Sequence, residues 1–208
     1  MYEPIPEVFE AATILSHAVD AHLAGRFGLA KRLIVAADIP SIRDWQWPIE
    51  SKWPWKRLVD EPPSVPKDLR PRPRDASPKM RAQALERDGC HCRFCGMPVI
   101  TSETRTAMIA VYGDVIPWSR KFTECHAAFN CLWASYDHVL PNERGGTTDL
   151  QNIVITCSPC NYGRMNFTLN EVGVLHPSQH SGPPRWEGYE VWDGLQRFHR
   201  SSAPTGNG

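Results

Sequence analysis

The chain has 208 residues, with 23 basic residues, 23 acidic residues and no formal net charge at pH 7. This length suits one modest domain with an extension rather than two large domains, and the balanced charge excludes recruitment of polyanions by a strongly basic overall field. The amino terminus lacks the basic and apolar segments of a secretion signal, and no apolar run approaches the ~18 residues of a membrane span. We therefore expect a cytoplasmic protein with no membrane partner.

The seven cysteines include two C-x-x-C pairs. An odd number of cysteines in a chain of this size fits metal binding in a reducing compartment better than a disulfide framework.

The first part of the chain is predicted to be helical. Apolar residues recur every three or four positions between residues 7 and 37, which predicts two amphipathic helices with a hinge near Gly25 to Gly28. Pro40 is predicted to end the second helix. His17 and His22 lie five residues apart and so on different helical faces, and we expect no metal site there.

A tryptophan-rich stretch follows, in which aromatic residues alternate with basic ones. Its members are Trp45, Trp47, Trp53, Trp55, Arg43, Lys52, Lys56 and Arg57. Such a pattern can stack on unpaired bases and clamp a nucleic acid. The alternative, which we favour, is that the tryptophans pack the helical extension against the rest of the protein.

Six prolines between Pro62 and Pro78 predict an extended linker and a domain boundary. Basic residues outnumber acidic ones between residues 67 and 93, which indicates either a local polyanion site or a solvated charged face. Ser77 and Pro78 then favour a helix start, and Gly89 its end.

Cys92 and Cys95 form the first C-x-x-C pair, in which a two-residue spacer allows both sulfurs to reach one ion and Gly96 permits a tight turn. We expect Cys90 and His91 not to be ligands. Further on, Cys125, His126 and Cys131 fall on a helix predicted over residues 124–132, where buried thiols are favoured over a second metal site.

The most informative stretch runs from Tyr136 to Arg164. Asp137 and His138 end a short apolar run, a Gly-Gly loop follows at 145–146, and a β-branched segment predicts a strand over residues 153–156. Ser158 and Pro159 favour a helix start. The second C-x-x-C pair, Cys157 and Cys160, completes with Cys92 and Cys95 the four thiolates of a tetrahedral zinc site.

This order of residues resembles the HNH endonucleases, in particular a zinc-containing subgroup similar to bacterial restriction and phage enzymes. The resemblance covers about residues 79–169 and is carried by Cys92, Cys95, Asp137, His138, Gly145, Gly146, Asn152, Cys157, Cys160, Asn161 and Arg164. It implies an α+β fold: a ββα-metal (His-Me finger) module with a four-cysteine zinc site, here preceded by a helical extension. The third signature position, commonly histidine, is Asn161, which makes this an H-N-N variant.

The resemblance also implies a metal-dependent hydrolysis of phosphodiester bonds, with nucleic acid and most of all DNA as partner. His138 is then the general base, and Asp137 and Asn161 hold the catalytic divalent ion. Their oxygen donors favour Mg²⁺ or Mn²⁺ there, beside the structural Zn²⁺.

Two further residues receive roles from the resemblance. Asn152 is expected to hold His138 and the loop in place through hydrogen bonds. Arg164 lies three residues after Asn161 on the predicted helix and is expected to bind the scissile phosphate, with Arg144 as a weaker candidate. Adjacent strand residues point to opposite faces, so Asp137 and His138 share a site only if the strand twists or ends there.

The predicted organisation has five parts: a tryptophan-rich helical extension (1–60), a proline-rich linker (61–78), the HNH module (79–170), a loop with a short helix (171–200) and a flexible tail (201–208).

Three other functions remain open from the sequence. One is a non-catalytic zinc module that binds nucleic acid through the basic stretch and the tryptophans. Another is an HNH fold kept as an interaction scaffold, and the third is a zinc ribbon whose Asp137 and His138 merely face solvent.

Overall fold

The computed structural model describes residues 3–51, 58–179 and 185–200. The helices are α1 (Pro6–Leu23), α2 (Phe27–Ala36), α3 (Pro40–Ser51), α4 (Pro78–Asp88), α5 (Ser102–Tyr112), α6 (Ala127–Cys131), α7 (Ser158–Arg164) and α8 (Arg197–Arg200). The strands are β1 (Ser135–His138) and β2 (Ile153–Thr156), and short 3-10 helices lie at Phe122–Glu124, Asn142–Arg144 and Tyr189–Val191. None of the described helices has both the length and the apolar character needed to span a bilayer.

The amino-terminal extension is helical, as predicted. Helix α1 buries a stripe of apolar residues at helical spacing, which packs on Ala30 and Ile34 of α2. Gly25, at the predicted hinge, has a φ of +71°. The prediction for Pro40 was wrong, because α2 ends at Ala36 and Pro40 begins α3. A proline suits a first helical turn, where its missing N–H has no partner to lose.

Helix α3 contains the first half of the tryptophan-rich stretch. The residues it buries are Ile42, Gln46 and Ile49, while Trp45 is partly buried and Trp47 is 46% exposed. The helix packs on α6 and α7. Trp45 therefore takes part in this packing, whereas Trp47 is largely exposed. Trp53 and Trp55 lie outside the described residues.

The proline-rich segment 62–78, called here the strap, has no helix or strand before α4 but is hydrogen-bonded along its length to the rest of the chain. Val65 N–H donates to the Glu143 carbonyl (2.7 Å), and the Asn142 side chain donates to the Pro71 carbonyl (2.9 Å). Thr148 Oγ1 donates to the Arg74 carbonyl (3.0 Å). The prolines exclude regular structure, yet the segment is held against the loop between β1 and β2.

Helix α4 begins as predicted, with the Ser77 hydroxyl accepting from the Met80 N–H. Its last residue, Asp88, has a side chain only 1% exposed. That carboxylate accepts from the Ile155 N–H of β2 (3.1 Å) and pairs with Arg87 and Arg93. Asp88 thus joins the end of α4 to the sheet and to the segment that carries the first cysteine pair.

Residues 97–133, called here the insertion, contain the helix α5 that the sequence did not predict. Thr101 caps this helix by accepting from the Thr104 N–H (3.3 Å). The predicted helix over residues 124–132 is shorter, Ala127–Cys131. Cys125, His126 and Cys131 are buried, as expected for packed side chains.

Strands β1 and β2 form an antiparallel pair in which Asp137 faces Val154 and His138 faces Ile153. The predicted strand ending at His138, the strand over Ile153–Thr156 and the helix from Ser158 are confirmed. The predicted helix near the carboxyl end is α8, which is only four residues long.

The loop between the strands folds back on itself around the Asn152 side chain. Its Oδ1 accepts from the Leu140 N–H (2.8 Å), and its Nδ2 donates to the carbonyls of Leu140 (3.1 Å) and Thr147 (2.8 Å). A Cβ on Gly146 would lie 1.8 Å from the Leu140 oxygen. Only glycine fits between these two passes of the loop.

We predict that Gly146→Ala lowers the free energy of unfolding by about 1 to 3 kcal/mol, since backbone must move to admit the methyl group. Chemical denaturation measures this. The matched control is Gly28→Ala in α2, where the nearest atom would be 3.8 Å away. Equal stability of both variants would contradict the crowding.

Candidate active site and metal cluster

Four buried cysteines, Cys92, Cys95, Cys157 and Cys160, bring their sulfur atoms within 4.8 Å of one another. The sulfurs of Cys95 and Cys157 are 3.7 Å apart, far beyond the ~2.05 Å of a disulfide. Zinc bound tetrahedrally at ~2.3 Å sets its sulfur ligands about 3.8 Å apart. The separation of this pair matches that value, and the four sulfurs together could hold a metal ion such as zinc.

Local structure explains how each cysteine pair reaches the cluster. The first pair lies in a hairpin-like turn, the knuckle, bounded by the bridge between His91 and Pro98. Gly96 has a φ of +74° there, and its N–H donates to the Cys92 carbonyl (2.9 Å). The second pair occupies the cap and first turn of α7. A bound ion would join the knuckle to the start of α7.

The neighbours Cys90 and His91 lie outside the cluster. Cys90 accepts from the Gln196 side chain (3.1 Å), and His91 stacks on Tyr189 with ring centroids 3.8 Å apart.

The surroundings of Cys92 favour its ionised form. Burial raises the pKa of a thiol, strongly for Cys131 outside the cluster and for Cys157 within it, and the pKa of Cys160 is raised as well. At Cys92, burial is outweighed by hydrogen bonds from Cys157, Cys160 and Cys95, which hold its pKa well below the ordinary value. A buried thiolate of this kind attracts a cation.

Asp137, His138 and Asn161 border one cavity of about 420 Å³ between the end of β1 and α7. An adjoining cavity of about 320 Å³ is lined by the same three residues and, like the first, by Arg74. Because β1 ends at His138, both Asp137 and His138 reach this space although they are strand neighbours.

Residues 123–166 match the family model described as HNH endonuclease. The chain contains an HNH domain. The matched residues run through α6, both strands and α7, and they include Asp137, His138 and Asn161. A search of curated proteins and a search of solved structures found no match.

The match does not reach the knuckle, so the first cysteine pair is added to the HNH domain from upstream. The domain therefore comprises a two-stranded sheet and helices, together with a four-cysteine cluster that could bind a metal.

His138 of the HNH domain is held through its Nε2 atom, which lies 2.9 Å from Thr148 Oγ1. The single hydroxyl proton of Thr148 goes to the Arg74 carbonyl (3.0 Å), which can only accept. Nε2 must then be the donor to Thr148. The lone pair of His138 is consequently on Nδ1.

The pKa of His138 is lowered from its ordinary value. Burial is the main cause; the negative charge of Asp137 opposes it, and the positive charges of Arg74 and Arg164 add to it. The imidazole is therefore neutral near pH 7.

Arg164 does not lie where the sequence analysis expected it. Its side chain is 0% exposed and pairs with Oδ2 of Asp137, and it also donates to the carbonyls of His138 (2.6 Å) and Phe167 (2.7 Å). A guanidinium so enclosed has no path to a scissile phosphate. Within the described part of the chain, the other Asp137 oxygen, Oδ1, has no hydrogen-bond partner.

The other two predicted residues, Asn152 and Arg144, make structural contacts. Asn152 braces the loop, as expected, but its side chain makes no hydrogen bond to His138. Thr148 makes that hydrogen bond instead. Arg144 is largely buried in an ion pair with Glu171 (3.0 Å) and does not line the cavity.

Sequence reasoning missed Thr148 and Arg74. The Gly-Gly-Thr-Thr loop gave no sign that its second threonine meets His138, and Arg74 was counted only within a basic stretch.

We predict that Cys157→Ser lowers zinc content from about one ion per chain to near zero and destabilises the fold, because a structural ion needs all four thiolates. Metal analysis and thermal unfolding measure both effects. The control is Cys125→Ser: the Cys125 thiol, outside the cluster, exchanges hydrogen bonds with the Ser119 backbone that a hydroxyl can keep. Full zinc content in Cys157→Ser would contradict the assignment.

We also predict that Arg164→Ala lowers the free energy of unfolding by about 3 kcal/mol or more, since it leaves Asp137 largely buried without its partner. Denaturant titration measures this, with Arg185→Ala as the control because the Arg185–Glu190 pair is over two thirds exposed on both sides. A stable Arg164→Ala protein with weakened DNA binding would instead favour a phosphate contact.

Proposed function

We propose that the protein is a metal-dependent endonuclease that hydrolyses phosphodiester bonds in DNA. The observation that carries this proposal is the shared cavity of Asp137, His138 and Asn161, in which His138 is oriented by Thr148. It agrees with the HNH domain at residues 123–166.

The donors at the cavity suit a hard divalent cation. The Oδ1 atom of Asp137 and the side-chain oxygen of Asn161 are the kinds of ligand that Mg²⁺ and Mn²⁺ prefer, whereas zinc is better matched to the four thiolates. When bound, such an ion supplies positive charge that stabilises the departing oxygen of the phosphodiester. Arg164 orients Asp137 for this role by occupying its other oxygen.

His138 acts as the general base. Its Nδ1 lone pair takes a proton from the attacking water, which a neutral imidazole can do near pH 7. The resulting imidazolium carries a proton on both ring nitrogens, and the Thr148 hydroxyl still accepts from Nε2. The contact with Thr148 and the Arg74 carbonyl thus serves both protonation states of His138.

Arg74 takes the role that Arg164 cannot fill. It is exposed, it lines both cavities beside His138, and its backbone is fixed by the Thr148 hydroxyl. A guanidinium there can bind the scissile phosphate through bidentate hydrogen bonds. The strap thereby places the Arg74 cation next to the general base, His138.

We predict that His138→Ala reduces hydrolysis by roughly a hundredfold or more, since it removes a positioned general base, and leaves DNA binding intact. Plasmid nicking with Mg²⁺, Mn²⁺ or EDTA measures cleavage, and a mobility-shift titration measures binding. The control is His17→Ala, an exposed histidine on α1.

Two outcomes would contradict the proposal. One is wild-type cleavage by the His138→Ala protein. The other is a zinc-loaded wild-type protein that cuts no DNA with any divalent ion; retained binding would then favour a non-catalytic zinc module, and absent binding an interaction scaffold.

A further inference from the structure

A groove leads away from His138 along β1. The 320 Å³ cavity beside the candidate active site shares Arg81, Glu103 and Tyr136 with a further cavity of about 290 Å³. The first of these cavities has walls from the strap, the insertion and β1. We call this pair of cavities the β1 groove.

The position of Tyr136 relates the groove to the site of cleavage. Tyr136 and His138 are alternate residues of β1, so their side chains leave the same face of the strand about 7 Å apart. A single-stranded substrate whose scissile phosphate meets His138 would place the neighbouring nucleotide beside Tyr136.

Flat cationic and aromatic groups line the groove. The Arg81 guanidinium lies over the Tyr136 ring, 5.4 Å from its centroid, and is fixed there because Nε donates to the Ala76 carbonyl (2.9 Å). Trp133 forms another part of the wall and is held by Arg105, 4.8 Å from a ring centroid. Such surfaces stack on nucleobases whatever their sequence.

The groove also contains a carboxylate, Glu103, which would not help to bind phosphate. It is an exposed residue in the first turn of α5 and lines both cavities. Burial is the main cause of the raised pKa of Tyr136, and the negative charge of Glu103 raises it further. The Glu103 carboxylate is therefore close enough to act electrostatically on Tyr136. A carboxylate repels phosphate but accepts hydrogen bonds from the amino group of a base.

From this arrangement we infer that the β1 groove binds an unpaired nucleobase next to the scissile phosphate, and that Glu103 selects bases with an exocyclic amino group over thymine. The inference rests on the proposed nuclease function and names its substrate: single-stranded or locally unpaired DNA. A base stacked within a duplex offers only its edge, whereas a groove with flat walls accommodates the whole base.

The test is cleavage of a single-stranded DNA pool randomised around the cut, followed by sequencing of the cleaved ends. Wild-type protein should disfavour thymine roughly tenfold at one position adjoining the cut. Glu103→Gln should lose this preference, because the amide presents a donor as well as an acceptor. The control is Glu7→Gln, a glutamate at the same place in the first turn of α1, which should keep the wild-type profile.

Each other outcome is decisive. Three outcomes would overturn the base subsite without contradicting the proposed nuclease function. They are a wild-type protein with no base preference next to the cut, a Glu103→Gln protein with the wild-type preference, and cleavage confined to fully paired duplex. If no protein cleaves, the proposed function fails, and binding of oligo(dC) and oligo(dT) decides the subsite alone. Preference for oligo(dC) that is lost in Glu103→Gln would sustain it, and equal affinities would overturn it.

Discussion

Four cysteine thiols that meet within 4.8 Å constrain everything else in this domain. They come from two segments 62 residues apart between Cys95 and Cys157. The sheet between these segments has only two strands of four residues each, and a two-stranded sheet is marginally stable by itself. An ion bound by the four thiols would join the knuckle to α7 and supply the rigidity that such a small sheet lacks, and the buried Asp88 carboxylate joins Arg93 of the knuckle to β2.

Helix α7 is held at both ends, and this places Asn161. The helix has seven residues, too few to be stable in isolation. Arg164 fixes its end to Asp137 and to the His138 carbonyl, and an ion bound by Cys157 and Cys160 would fix its beginning. Asn161 lies between these anchors and therefore faces the strand end that carries the carboxylate and the imidazole. A very short helix can thus position a candidate metal ligand.

Features governed by local chemistry could be predicted from the sequence. The C-x-x-C spacers, the cap at Ser77, the β-branched run of β2 and the start of α7 all follow from neighbouring residues. Helix α5 was missed because threonines, isoleucine and valine dilute its helical signal. Arg164 was assigned to the substrate because helical spacing shows which face of the helix it lies on. The spacing does not show whether that face meets solvent or a buried carboxylate.

The features that could not be predicted from the sequence depend on contacts between distant segments. Thr148 and Arg74 are 74 residues apart, and their hydrogen bond follows from how the strap lies on the loop. Prolines correctly excluded helix and strand from the strap but said nothing about its packing. Pairing of this kind depends on the assembled structure, which is why the groups that orient His138 could be found only there.

X-ray absorption at the zinc edge, on protein purified without added metal, tests the cross-link most directly. A single shell of four sulfur atoms at ~2.3 Å from zinc is expected. A shell with nitrogen or oxygen donors, or with fewer than four sulfurs, would contradict the joining of the knuckle to α7, and with it the placement of Asn161 opposite Asp137 and His138.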